Sequence, residues 1–244
     1  MSDPADAGQI GQMLDRITAA TERLIASASR LTDEQVRASS PLPGWTRGHV
    51  LNHLARNADG LRNLLFWAKT GIEVPQYPSQ EVRNAEIEAG ATRSAGQIVT
   101  DLTNSAAAFA AQARELDQDA WLAEVRGLGG PVHPAWFTLH RRLTEVEVHH
   151  VALDTGYSPA DWPEPFVADL IDRVTADLAD DEQCPSVMLI DSDTGRQYMI
   201  GAGEPPDRAV SGPGHELLAW LIGRDKGAGL AVDPPGTLPE VPSY

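Results

Sequence analysis

The stretch Thr46-Arg47-Gly48-His49-Val50-Leu51-Asn52-His53-Leu54-Ala55-Arg56-Asn57 decides the fold. A threonine oxygen accepts the free amides of a helix start, and Gly71 can take the left-handed conformation that ends one. A helix is therefore predicted from Arg47 to Thr70. Within it Val50, Leu51, Leu54, Ala58, Leu61 and Leu65 share one stripe at helical spacing. At about 100° per residue, His53 lies about 110° and His49 about 150° from the centre of that stripe. His53 is the better inward candidate.

Outward from this helix the pattern stays helical. Before it, Pro41-Leu42-Pro43-Gly44-Trp45 forces an irregular connection, and Thr32-Asp33-Glu34-Gln35 suits a short capped turn. From Gln9 to Leu31, the residues Ile10, Met13, Leu14, Ile17, Ala20, Leu24, Ile25 and Ala28 mark a long amphipathic helix. After it, Pro75 and Pro78 extend a loop, Ser79 to Ala89 reads as a polar helix, and the alanine-rich Ile98 to Leu116 as a packed one. The glycines of Gly127-Leu128-Gly129-Gly130-Pro131 break the pattern, and Pro134 to Thr155 restores it as far as Gly156. Four long helices thus precede Tyr157, which predicts an all-helical bundle over residues 1–160.

Beyond Asp161-Trp162-Pro163 strands arrive. Pro165 to Asp180 is still helical, but Val187-Met188-Leu189-Ile190 and Arg196-Gln197-Tyr198-Met199-Ile200 flank the turn-forming Asp191-Ser192-Asp193-Thr194-Gly195. Ala209-Val210-Ser211 suits a third strand, His215 to Ile222 a short helix, and Gly229 to Val232 a return to the sheet. The expected second domain, residues 161–244, is a small mixed α+β unit ending in a proline-rich, extended tail.

Composition narrows the function classes. The 244 residues are 42% hydrophobic, enough for a real core, and the formal charge of −16 repels phosphate backbones and anionic lipid surfaces. Neither nucleic acid nor membrane is an expected partner, and no apolar run approaches the ~20 residues that span a bilayer. The one cysteine, Cys184, has no intramolecular partner, and no leader pattern opens the chain, so the expectation is a soluble, cytoplasmic protein. A monomer or weak homo-oligomer acting on a small molecule fits this profile.

Seven histidines are present, and four of them sit where chemistry is plausible. His49 and His53 are one helical turn apart, and Glu145 precedes His149 by one turn on a different helix. Facing helices of a bundle can converge such donors on a divalent ion, and three of them leave an open coordination position. Against the apolar stripe of Trp136, Leu139, Leu143, Val146 and Leu153, His150 lies inside while Glu145 and His149 lie on the flank. Periodicity alone leaves a rival pair open, Glu147 with His150. Arg47, Arg56 and Arg142 are expected at the surface, and Trp45, Trp67, Trp136 and Trp220 as core or interface anchors.

Three separated motifs share one resemblance. Pro43 to Asn57, Arg142-Leu143-Thr144-Glu145-Val146-Glu147-Val148-His149-His150-Val151, and Leu217-Leu218-Ala219-Trp220-Leu221-Ile222-Gly223-Arg224 resemble the DinB-like metal-binding bundles. More narrowly they resemble the mycothiol-dependent maleylpyruvate isomerases. Gly156-Tyr157 with Asp161-Trp162-Pro163 is similar to the segment that joins the two domains of that family. The resemblance implies a four-helix DinB-like bundle followed by an α+β domain, with His53, Glu145 and His149 as zinc ligands and Arg224 brought to the active site by the second domain. One departure is visible, because Ala152 stands where the family's His-His-Val-Asp-Leu stretch has aspartate.

The chemistry so implied is the cis–trans isomerisation of maleylpyruvate to fumarylpyruvate. A thiolate adds to the alkene, the resulting single bond rotates, and elimination returns the trans isomer. Cys184 has no basic neighbour to activate it and reads as structural, so mycothiol is the implied cosubstrate, held and deprotonated by zinc. Arg224 would bind a substrate carboxylate or the enolate formed on addition. Two other functions fit the same residues: a mycothiol S-transferase acting on another electrophile, and a non-catalytic carrier whose α+β domain binds an apolar ligand.

Overall fold

Cap chemistry sets where most of the helices begin. In the computed structural model, which describes residues 6–203 and 205–242, six helices open on a side chain that accepts an amide of the first turn. They are α1 (Ala7–Ala28) behind Asp6, α2 (Asp33–Arg37) behind Thr32, α3 (Arg47–Thr70) behind Thr46, α4 (Gln80–Ala91) behind Ser79, α5 (Ala95–Ala113) behind Ser94 and α6 (Gln118–Leu122) behind Asp117. A two-stranded hairpin follows, β1 (Glu124–Arg126) with β2 (Val132–Pro134), and then α7 (Phe137–Val151). These elements make the first of two compact units, which ends at Thr155. No described helix is long and apolar enough to cross a membrane.

Helix α3 is the axis of this unit, packed against α4, α5 and α7, while α1 packs on α5 and α7. Its burial extends well beyond one stripe: Asn52, His53 and Asn57 are enclosed along with the leucines. Enclosed polar groups need partners. Asn52 supplies two bonds, donating to the carbonyls of Glu86 (2.8 Å) and Ile87 (3.0 Å) and so fastening α4 along α3.

That fastening requires glycine. A Cβ on Gly48 would lie 2.5 Å from the Ala91 carbonyl oxygen, and one on Gly90 would lie 2.1 Å from Asn52 Nδ2. Because the obstacle at Gly48 is backbone, it cannot rotate away. Gly48→Ala is expected to push α4 off α3 and cost about 1–3 kcal/mol, read as a lower urea midpoint at unchanged m.

The structure departs from the expected all-helical bundle at β1 and β2. Each strand has three residues, and only Val125 of β1 is buried, too short a run for alternation to register in the sequence. The predicted Pro134–Thr155 helix is also shorter, because Asp154 is left-handed (φ 49°) and Arg47 takes the Leu153 carbonyl at 2.5 Å.

The second unit begins at Gly156. A 3₁₀ turn (Pro159–Asp161) leads into α8 (Glu164–Leu178), which packs on α9 (Gly214–Leu221) and on the sheet. The sheet holds β3 (Val187–Asp191), β4 (Gln197–Ile200), β5 (Arg208–Gly212) and β6 (Ala231–Asp233), in the order β4-β3-β5-β6. The β3–β4 hairpin is antiparallel, β5 lies parallel to β3, and β6 returns antiparallel to β5. The hairpin turn is held by Asp191, whose carboxylate accepts the Asp193 amide and the Thr194 hydroxyl.

Candidate metal centre

The Pro41–Trp45 connection is a built turn. Ser40 donates its amide to the Trp45 carbonyl (2.9 Å), and Trp45 donates its own to Leu42 (3.1 Å). It sets the Trp45 ring edge-on to His53, with centroids 5.4 Å apart. His49, one turn earlier, serves the helix start: its ring Nδ1 accepts the Thr46 amide at 3.2 Å, and its Nε2 bonds Glu88 at 3.2 Å. The i,i+4 histidine pair therefore splits, with His49 committed to capping and His53 turned inward.

His53 is 3% exposed. Its Nε2 lies 2.9 Å from Glu145 Oε2, which in turn lies 3.3 Å from His149 Nδ1, and the two imidazole centroids are 4.7 Å apart. One candidate ligand atom from each of His53, Glu145 and His149 falls within 4.8 Å of the others. His149 Nδ1 is also 3.0 Å from the carbonyl of Glu145. An Nδ1–H given to a backbone carbonyl leaves the Nε2 lone pair for a ligand, the usual second contact of a metal-binding histidine. This contact orients His149 within its own helix, while Ala152 is a buried methyl at the helix end.

Burial pushes the Glu145 carboxyl upward, but the facing His53, then His149 and Arg142, outweigh it and hold the group well below the usual carboxylate range. It is ionised at neutral pH, as a metal ligand has to be. These three side chains open on a pocket of about 270 Å³ whose remaining walls are Leu42, Pro43, Trp45 and Arg83.

The rival pair faces elsewhere. Glu147 meets Arg23 of α1 at 2.6 Å, and His150 Nε2 lies 2.8 Å from Ser27 Oγ of the same helix. Helix α7 is thus sandwiched, with Glu145 and His149 toward α3 and Glu147 and His150 toward α1.

The expected surface arginines are a correction. Arg142 is 0% exposed, and its Nη1 donates to the Leu54 carbonyl (2.8 Å) and to Asn57 Oδ1 (2.9 Å). Burial lowers its pKa to about 10, with Glu145, Tyr77 and Asp59 opposing, so it stays charged. Arg47 and Arg56 are half-buried rather than solvated: Arg47 pairs with Asp154 (3.1 Å), and Arg56 with Asp101 (2.8 Å) and Asp59 (3.0 Å). A charged side chain reads as surface in a sequence, and nothing local announces that α3 offers it acceptors.

Arg83 was not legible as a site residue. Its Nη2 lies 3.1 Å from His53 Nδ1, and its guanidinium sits over the Tyr77 ring, 5.6 Å from the centroid. The available signal was its position one turn before Ile87 and two before Gly90, which with Ala91 are the buried positions of an otherwise polar α4.

In the second unit Arg224 is half-buried just past α9, where its amide donates to the Ala219 carbonyl at 2.7 Å. Cys184, in the same unit, is buried, and burial followed by the nearby Asp181 pushes its thiol pKa up. It is the opposite of an activated nucleophile.

Comparison with known proteins follows the two units. Residues 17–154 match the family model described as "Mycothiol maleylpyruvate isomerase N-terminal domain", and residues 161–243 match the "MDMPI C-terminal domain". Among solved structures, a crystal structure of the mycothiol-dependent maleylpyruvate isomerase is similar with a TM-score of 0.90 at 30% identity, covering 96% of this chain and 97% of that one. A variant of that isomerase with a histidine replaced by alanine gives 0.89 at the same identity and coverage. No curated protein matches the sequence.

Proposed function

The chain belongs to the mycothiol-dependent maleylpyruvate isomerase family, and from that premise we propose that it converts maleylpyruvate to fumarylpyruvate with mycothiol as cosubstrate and a divalent metal, zinc, at His53, Glu145 and His149. The observation that carries the proposal is the convergence of two imidazoles and one ionised carboxylate, from two helices, on the lining of a single pocket.

The residues fit such an ion. Two nitrogens and one oxygen are a donor set found in catalytic zinc sites, where three protein ligands leave a position open. A zinc ion bound there would lower the pKa of a thiol placed in that position and stabilise negative charge developing on the substrate.

The chain's own groups do the rest. The Glu145 carboxylate offsets one of the two positive charges and stays ionised through physiological pH. The Trp45 ring packs edge-on against His53, which is 3% exposed, and burial of that imidazole strengthens its electrostatic interaction with Glu145. The thiol has to come from outside, because Cys184 is buried with its pKa raised. Addition forms the C–S bond and sends the alkene π pair to the conjugated carbonyl oxygen; the reverse step expels the thiolate after rotation. Arg224, at the end of the Leu217–Arg224 motif, is proposed to bind the anionic substrate.

The test is turnover of maleylpyruvate by the purified full chain. Activity is expected only with mycothiol present, to fall more than about 100-fold on chelation, and to return with added zinc. Full activity in the chelated protein, or turnover without any thiol, would overturn the proposal.

A further inference from the structure

The hydrogen-bond polarity around His53 singles out Arg83. A guanidinium only donates, so at 3.1 Å His53 Nδ1 is the acceptor and the ring hydrogen is on Nε2, where it is donated to Glu145 Oε2 at 2.9 Å. That arrangement is incompatible with a cation on Nε2. If the nitrogen facing Glu145 gives its lone pair to a metal, the ring hydrogen has to sit on Nδ1, and two N–H groups then point at one another. Arg83 has to let go.

Its other contacts are with neutral groups: an Nη1 bond to the neighbouring Asn84 (3.2 Å), and Tyr77, whose ring it covers and whose hydroxyl it also meets. Among the described residues no carboxylate pairs with it, whereas the nearby Arg93 and Arg56 both pair with Asp101. Arg83 is therefore a cation without an ion-pair partner among the described residues, on the pocket wall of a chain whose formal charge is −16. Its planar fork matches a carboxylate.

We propose that Arg83 has two positions: it bonds His53 when the centre is empty and, displaced when His53 takes the metal, becomes the anchor for a carboxylate of the anionic substrate. The proposal rests on the isomerase reading for the identity of that substrate, a dicarboxylate. Metal loading and substrate recognition are thereby coupled through one side chain, and the guanidinium is free for substrate only in the protein that can use it.

The experiment compares the full-length protein with Arg83→Gln and Arg83→Lys. Zinc affinity is measured by competition with a chromophoric chelator, and maleate affinity by calorimetry on the zinc-loaded proteins. Glutamine offers an oxygen that accepts from Nδ1–H, so Arg83→Gln is expected to bind zinc as tightly as the parent or up to about tenfold tighter. The same variant is expected to lose at least about tenfold in maleate affinity, with Arg83→Lys recovering part of it. In turnover, KM for maleylpyruvate rises by a similar factor while kcat changes little.

Zinc affinity weakened tenfold or more in Arg83→Gln would overturn the proposal, since Arg83 would then simply orient His53. Equal maleate affinity in all three proteins, including none measurable, would overturn it as well. A parent protein that binds zinc and maleate but does not isomerise maleylpyruvate would overturn the function proposed above, and the zinc and maleate comparison would still decide Arg83.

Discussion

Glu145→Gln is expected to leave a folded protein that no longer retains a divalent ion and turns over less than about 1% as fast. The amide matches the carboxylate in size and can still accept from His53 at the position of Oε2, where the native contact is 2.9 Å. What it lacks is the charge. Two imidazoles remain, and the binding loss should exceed the 10–100-fold typical of removing a group that only supports a ligand. Metal content after dialysis and turnover with mycothiol check both halves. One retained equivalent of zinc would sink the ligand assignment.

The same variant carries a pH signature in the metal-free protein. The folded-state pKa of Glu145 is depressed, so its contribution to stability is present above the ordinary carboxylate value of about 4.3 and is lost as pH falls toward the folded value. The parent is therefore expected to lose more stability between pH 6 and pH 3 than Glu145→Gln does. Urea midpoints of the two proteins at those pH values measure the difference.

What the sequence disclosed follows from the range over which each force acts. Helix α3 has the predicted limits because Thr46 and Gly71 act within one turn of their own positions. Alternation and turn chemistry likewise located β3 and β4, since Asp191 and Gly195 shape the hairpin locally. That β5 runs parallel to β3 is a matter of pairing across the sheet and has no local signal. The site divides the same way. His53 was separable from His49 by its angle to the leucine stripe, whereas His149 and His150 are neighbours about 100° apart on a helix buried on both sides. Only packing decides that the Glu145 face meets α3 and the Glu147 face meets α1. The motif resemblance named Glu145 and His149 where periodicity left two pairs standing, but it gave no role to Arg142 and did not reach Arg83, and both meet the centre through contacts to α3.

Arg142→Ala is expected to be the most destabilising single change near the site, by about 3–5 kcal/mol. Arg142 is among the largest fully buried side chains of the protein, and its charge lies in a region that also holds Glu145, Tyr77 and Asp59. Truncation opens a cavity, leaves Asn57 Oδ1 without its donor at 2.9 Å, and strips Glu145 of a neighbouring positive charge. Each loss is destabilising in the same direction, and none is relieved by water unless the helices part. Both bonds come from the one nitrogen Nη1, so Arg142→Lys keeps the charge and can donate twice, but its shorter, slimmer side chain leaves part of the buried guanidinium's volume empty and is expected to recover only part of the loss. Because Arg142 helps hold the Glu145 pKa down, its removal brings that pKa back toward the ordinary carboxylate value and so shrinks the stability that the metal-free protein loses as pH falls below about 4.3. Thermal midpoints on the order of 10 °C lower for Arg142→Ala, with Arg142→Lys between it and the parent, are the expected result. A midpoint within a degree or two of the parent would show that this buried guanidinium is dispensable to the packing of α7 on α3.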